Sequence, residues 1–309
     1  MAMENKALAI YSEVSRDAAE YHLRSGETDA EKAVIIEDLA GRPENELIEY
    51  LDQIVNELGM SNSSEVKKAV CHALQNAGES ALPYCQDIAY LLDDEDPEVK
   101  YSACMAFAVM GPYAASGAMV SVQMLLDDQS EVVRCGACAA IGAFGAEDCA
   151  QKLADMLADK SPEVQGAACV ALGRLGEAGS GCASEVAAKI DEPRSRLQAI
   201  YALGLMGDDG KKHCDKIVEC LADDDDEIRL AAAQQIGQMG SEVKDNSAAM
   251  GSLSGMLGNS EGKVRCAAAL ALGYMGEHAA DQCDALKELL EDDFGESGVN
   301  SLTAGGCRS

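Results

Sequence analysis

Tryptophan is absent from this chain, phenylalanine occurs three times, and all aromatics together make 4% of the residues. That excludes a core built around large rings, although 48% of the residues are hydrophobic. Whatever core forms must be aliphatic, thin and finely divided. Basic residues are scarce too: 24 Lys and Arg stand against 54 Asp and Glu, a formal net charge of −30. A phosphate backbone would repel such a chain. Nucleic acid is therefore excluded as a partner, and proteins with basic segments are favoured. No stretch approaches the roughly 18 uninterrupted apolar residues of a membrane helix, so direct membrane insertion is not expected. The start, MAMENKALAI, shows neither a basic segment leading into an apolar one nor an Arg-rich, acid-poor character. No secretory or transit peptide is read there.

Histidine is rare as well: His22, His72, His213 and His278 are all there is. The sequence has no phosphate-binding loop and no GxGxxG after a strand, so the common nucleotide-binding signatures are missing. The acidic run Asp223 to Glu227 lacks the spaced ligands and distal bidentate Glu of a calcium loop and reads as a solvated turn. No metal, cofactor or catalytic residue is expected, and the chain reads as non-enzymatic. Cysteine, by contrast, is plentiful at 13. An odd, abundant set without a secretory signal points to free thiols in a reducing compartment, cytoplasmic or organellar.

What is present is a repeat. LLDDEDPEVKYSACMAFAVMG (Leu91 to Gly111) returns as MLADKSPEVQGAACVALGRLG (Met156 to Gly176) and CLADDDDEIRLAAAQQIGQMG (Cys220 to Gly240). Each block ends on a glycine: Gly78, Gly111, Gly145, Gly176, Gly207, Gly240 and Gly276. Before each lies a series at steps of 4, 4 and 3, such as Val99, Ala103, Phe107 and Met110, apolar throughout except for Ser195 in the block that ends at Gly207. That spacing marks one face of an α-helix, and the glycine reads as its stop, where positive φ costs little. A second glycine column, Gly142, Gly173, Gly204, Gly237 and Gly273, is expected to admit the second helix of the same unit. That helix shows in Cys214, Ile217, Val218 and Leu221, and again in Cys283, Leu286 and Leu290. Neither helix can bury its stripe alone, whereas stacked units can.

The expected fold is all-α: a right-handed α-solenoid of about seven helical pairs with an N-terminal helical cap. Residues 1–60 form the cap, with one helix over 3–24 and a possible degenerate repeat after it. Residues 61–293 carry the seven repeats. Residues 294–309 are a tail or the start of a further repeat. The motif D-x-x-PEV(K/R)xxAAxALGxxG resembles the HEAT repeat over about Ser64 to Asp293, and is most similar to the short HEAT-like repeats of phycobilisome lyases. The resemblance implies the solenoid and leaves activity open. Deoxyhypusine hydroxylase, a HEAT-like enzyme, needs His-Glu pairs, and none of the four histidines here precedes a glutamate. HEAT-like glycosylases need a basic groove, and importin-α-type receptors need Trp ladders; this chain has neither.

Two residue sets are singled out. One is a ladder: Asp94, Asp128, Asp159 and Asp223 before the first helices, with Lys100, Arg134, Arg196, Arg229 and Arg265 just inside them. In HEAT repeats such columns tie neighbouring repeats together, and Asp near a helix start is a good cap. The other set lies on the outward positions of the second helices, which line the concave side of a HEAT stack. Tyr90, Val120 and Met124 are apolar there; Asp155, Asp215, Glu219, Asp284 and Glu288 are acidic. This is the expected binding surface for a protein partner with a basic, partly apolar segment. The alternatives are a phycobilin lyase-like or assembly factor, or a structural subunit of a large photosynthetic, respiratory or axonemal complex. Cys71, Cys104, Cys138 and Cys169 share one column of the first helices, and Cys85, Cys214 and Cys283 one of the second. Stacked equivalents sit ~8–10 Å apart, beyond disulfide reach, so these thiols are expected to be buried core filler. The pair Cys135 and Cys138 lacks a second pair at zinc spacing.

Overall fold

Thr28 opens the described part of the chain with a reciprocal cap. Its hydroxyl accepts from the Glu31 N–H, and the Glu31 carboxylate accepts from the Thr28 N–H at 2.9 Å, satisfying two donors that a helix start leaves free. The computed structural model describes residues 28–289. The helix expected over 3–24, the tail 294–309 and the side chains of Glu288 and Leu290 lie outside that description. Among the described residues there is no strand, and the fold is an all-α solenoid stack. The chain divides into two compact units, Met1–Phe144 and Gly145–Ser309.

The first unit contains α1 (Asp29–Ala40), α2 (Glu44–Leu47), α3 (Leu51–Met60), α4 (Ser64–Ala77), α5 (Cys85–Ala89), α6 (Pro97–Met110), α7 (Ala115–Met124) and α8 (Glu131–Phe144). Helices α1, α4, α6 and α8 stack in that order, and α7 packs against α5. Helix α6 shows why the sequence folds so. Pro97 sits at its first position, where a missing N–H costs nothing, and the Asp96 carboxylate accepts from the Glu98 N–H at 2.9 Å. Val99, Ala103, Cys104, Ala106, Phe107 and Met110 are buried. Phe107 meets Phe144 edge-on with ring centroids 6.3 Å apart. Residues 97–127 are together long and apolar enough to cross a membrane by composition. They instead turn at Gly111-Pro112 into two helices, so the length that sequence reading discounts is divided by a turn.

The second unit contains α9 (Ala150–Met156), α10 (Pro162–Arg174), α11 (Ala183–Ala188), α12 (Arg196–Leu205), α13 (Gly207–Lys211), α14 (Cys214–Glu219), α15 (Asp226–Gln238), α16 (Gly240–Asp245), α17 (Ser247–Met256), α18 (Gly262–Met275) and α19 (Cys283–Leu289). Here α10, α12, α15 and α18 stack in order, and α14 packs against α17.

Three expectations are corrected by these helices. The second helices are not single α-segments. In the Gly78 repeat the chain runs through a 3₁₀ stretch (Gly78–Tyr84), α5, and a second 3₁₀ stretch (Tyr90–Asp93). The stop glycines do have positive φ at six positions, but Gly240 does not; it begins α16. At Gly78, Gly111 and Gly276 ψ is −129°, −154° and −123°, far from the left-handed helical value and in a region open essentially to glycine alone. Finally, the second glycine column does not serve its own unit's second helix. A Cβ on Gly173 would lie 2.8 Å from the Cα of Ala202 in α12, and one on Gly237 would strike Tyr274 of α18. The close neighbour is the first helix of the following repeat.

Candidate functional site

The acidic turns before the first helices share one hydrogen-bond pattern. Asp94 Oδ1 accepts from the Asp96 N–H at 2.9 Å, and its Oδ2 accepts from Lys67 Nζ at 2.7 Å. Asp128 accepts from the Ser130 N–H at 2.8 Å and from Lys100 Nζ at 2.8 Å. Asp223 accepts from the Asp225 N–H at 2.9 Å and from Arg196. One oxygen thus closes the turn, and the other holds a cation from the preceding repeat. The repeat's own cation then caps the backbone. Arg134 donates to the Asp128 carbonyl at 2.9 Å, Arg229 to the Asp223 carbonyl at 2.7 Å, and Arg265 to the Asn259 carbonyl at 2.8 Å. Asp159 keeps the turn bond to the Ser161 N–H at 2.8 Å, and Gln165 replaces the cation on its carbonyl at 2.7 Å. The helix cap itself lies two residues on, at Asp96 and Asp225, so the ladder aspartates close turns rather than cap helices. Arg229 also forms an ion pair with Asp226 of its own helix.

Burial raises the carboxyl pKa of Asp94 and Asp128, but the lysine and N–H bonds outweigh it, and both end below the ordinary range. Burial pushes the thiols of Cys71, Cys104 and Cys169 up to about 12. These three and Cys138 are fully buried, as their column implies, but Cys283 is exposed and Cys85 and Cys135 are only half-buried. At Cys283 the stack has no later described repeat to cover it.

The outward positions of the second helices differ between units. In the first unit Tyr90 is 50% exposed, Val120 73% and Met124 71%. Val120 and Met124 lie one turn apart on α7, and α7 also packs against the Tyr90–Asp93 segment. The Tyr90 hydroxyl lies 3.5 Å from the Leu58 carbonyl. Sequence reading missed two neighbours in kind, Met60 at 78% and Tyr113 at 75% exposure. Both sit where a helix meets a turn, outside the positions that helical periodicity counts.

In the second unit Asp155 on α9, Asp215 and Glu219 on α14, and Asp284 on α19 are exposed. Gln151 donates to Asp155 at 3.3 Å, and Lys287 to Asp284 at 2.8 Å. The Lys287 bond holds the Asp284 carboxyl below its ordinary range. Lys216 lies between Asp215 and Glu219 in sequence and pairs with Asp191 at 3.0 Å, so this row is not purely acidic.

A family model described as HEAT repeats matches residues 118–181 and 214–298. No curated protein sequence matches the chain. Among solved structures the chain is similar to an engineered protein, with a TM-score of 0.55 and 18% identity over 90% of this chain and 84% of that one. It is also similar to a Kap121p mutant, with a TM-score of 0.61 and 14% identity over 93% of this chain and 36% of that one. A second Kap121p mutant gives a TM-score of 0.60 and 15% identity, over 92% and 35% of the two chains. The chain therefore spans about a third of the Kap121p length, and at these identities the likeness is one of fold.

Proposed function

We propose that this chain, a HEAT-repeat solenoid, is a non-enzymatic scaffold or adaptor that binds a protein partner through the exposed faces of its second helices. The observation that carries the reading is the exposure of Tyr90, Val120 and Met124 on one unit, at positions where solvent alone would select polar residues. Asp215 and Glu219 on the other unit offer a second, acidic surface. A partner segment with apolar anchors and Lys or Arg suits such surfaces, and a fold made of stacked repeats supplies them in rows.

The test uses a partner captured from the native source. Met124→Asp should raise its dissociation rate, and Glu219→Lys should slow its association and flatten the salt dependence. Binding unchanged by both would overturn the reading. A bilin-handling factor is the second reading. It draws on the likeness of the repeat motif to that of phycobilisome lyases, and a shift of the visible absorption of free bilin on mixing would favour it. Membership of a larger assembly would show as co-migration of the chain with that assembly in native extracts.

A further inference from the structure

Three features of the first unit converge on α7. First, residues 101–126 contain no charged side chain and no histidine, in a protein of net charge −30. Second, Gly117, Val120 and Met124 recur at helical spacing on α7, Tyr113 lies in the 3₁₀ turn just before it, and all four are exposed. The ridge is bare at Gly117, where an added Cβ would meet nothing within 4 Å, and has large apolar side chains one and two turns on. Third, residues 43–60, 78–96 and 111–130, which form the second-helix layer of this unit, hold 13 Asp and Glu and no Lys or Arg, and of these Glu57, Asp94 and Asp128 are paired with lysines of the first helices. Asp87 and Asp93 are exposed on the elements against which α7 packs. The layer is thus an uncharged apolar ridge with exposed carboxylates, Asp87 and Asp93, on the elements beside it.

We infer that the α7 face takes an amphipathic α-helix of a partner protein, with Lys or Arg flanking its apolar stripe. The inference rests on the scaffold reading and narrows it to one unit and one kind of occupant. The absence of a side chain at Gly117 lets a helix backbone approach, and Val120 and Met124 then insert between its apolar residues. The carboxylates of Asp87 and Asp93 beside the ridge select basic residues at the edge of that stripe and reject acidic ones. Ten residues of α7 span about 15 Å, matching a partner helix of roughly three turns.

The test titrates the full chain against a fluorescent Leu/Lys peptide with Leu at amphipathic helical spacing. Controls are a scramble of the same composition and a version with Glu for Lys. The amphipathic peptide should bind, the scramble about tenfold more weakly, and the Glu version not measurably. Val120→Asp with Met124→Asp should weaken binding about tenfold or more. Gly117→Gln adds bulk without charge and should weaken binding while leaving the melting temperature unlowered, which separates close approach from mere stickiness. Equal binding of the scramble, or binding indifferent to the α7 variants, would overturn the inference. A captured partner that is lost with Glu219→Lys but kept with Met124→Asp would overturn it too, while leaving the scaffold reading in place.

Discussion

A single carboxylate, Asp94, Asp128 or Asp223, does two jobs in its acidic turn, and a neighbour in the column shows what happens when it changes. Asn259 occupies the position of Asp94, Asp128 and Asp223 and keeps the turn bond, its Oδ1 accepting from the Glu261 N–H at 2.8 Å. It has no negative oxygen left for a cation from the preceding repeat. Asn259→Asp should therefore stabilise the protein by up to about 1 kcal/mol, seen as a small rise in melting temperature that high salt removes. Acid should act in the opposite direction. Asp94 and Asp128 have folded pKa values below the unfolded value, so the native state binds fewer protons than the unfolded chain across that interval. Their contribution is present above about pH 4 and is lost as pH falls through the folded values. Denaturant unfolding across pH 2 to 5 should show this limb, and Asp94→Asn should flatten it. A limb unchanged in Asp94→Asn would assign acid sensitivity to other groups.

At the scale of the helix, one glycine column predicts effects of opposite sign. Gly173→Ala forces a Cβ to 2.8 Å from the Ala202 backbone and should destabilise by about 1–3 kcal/mol as the two helices shift apart. At Gly273 an added Cβ meets nothing within 4 Å, and Gly273→Ala should stabilise by up to about 1 kcal/mol through helix propensity. Gly111→Ala, at φ 71° and ψ −154°, should cost about 1–3 kcal/mol for backbone strain alone. Thermal melts of the three variants check the ordering. The first helices and their stops were legible in the sequence because steps of 4, 4 and 3 survive in every block. The second elements were legible only as apolar stretches. Their 3₁₀ flanks, such as Tyr90–Asp93, break the periodicity that would define a continuous helix. Val120 and Met124 could be found by counting back from the buried Leu126. Tyr113 and Met60 could not, since a turn has no period to count. The ladder columns were visible as residue types, but a column does not say which oxygen takes the cation and which closes the turn.

Over the whole molecule, the charge of −30 opposes compaction through self-repulsion. Added salt should therefore raise the melting temperature over the range in which screening develops, roughly 0.01 to 0.5 M. A fall would mean that the ladder ion pairs outweigh the repulsion. Alkali probes the interior instead. Cys71, Cys104 and Cys169 stay neutral in the fold up to about 12, whereas unfolded thiols ionise near 8.5. Stability is then complete below that unfolded value and declines as pH rises towards 12. Native thiol labelling should reach Cys283 and the half-buried thiols first, and the buried column only on unfolding.

The acidic turn also bears on how such a chain can grow. Its carboxylate grips the preceding repeat, while the cation six residues on, as in Asp128 and Arg134, locks the same turn from within. A repeat of this kind therefore brings the acceptor for the repeat before it and, in its first helix, the donor for the repeat after it, as Asp94 and Lys100 do. A duplicated copy inserted in frame would find both of its junctions already written. Lengthening by whole repeats needs no new interface to evolve, so natural length variants should differ by about one repeat and seldom by part of one.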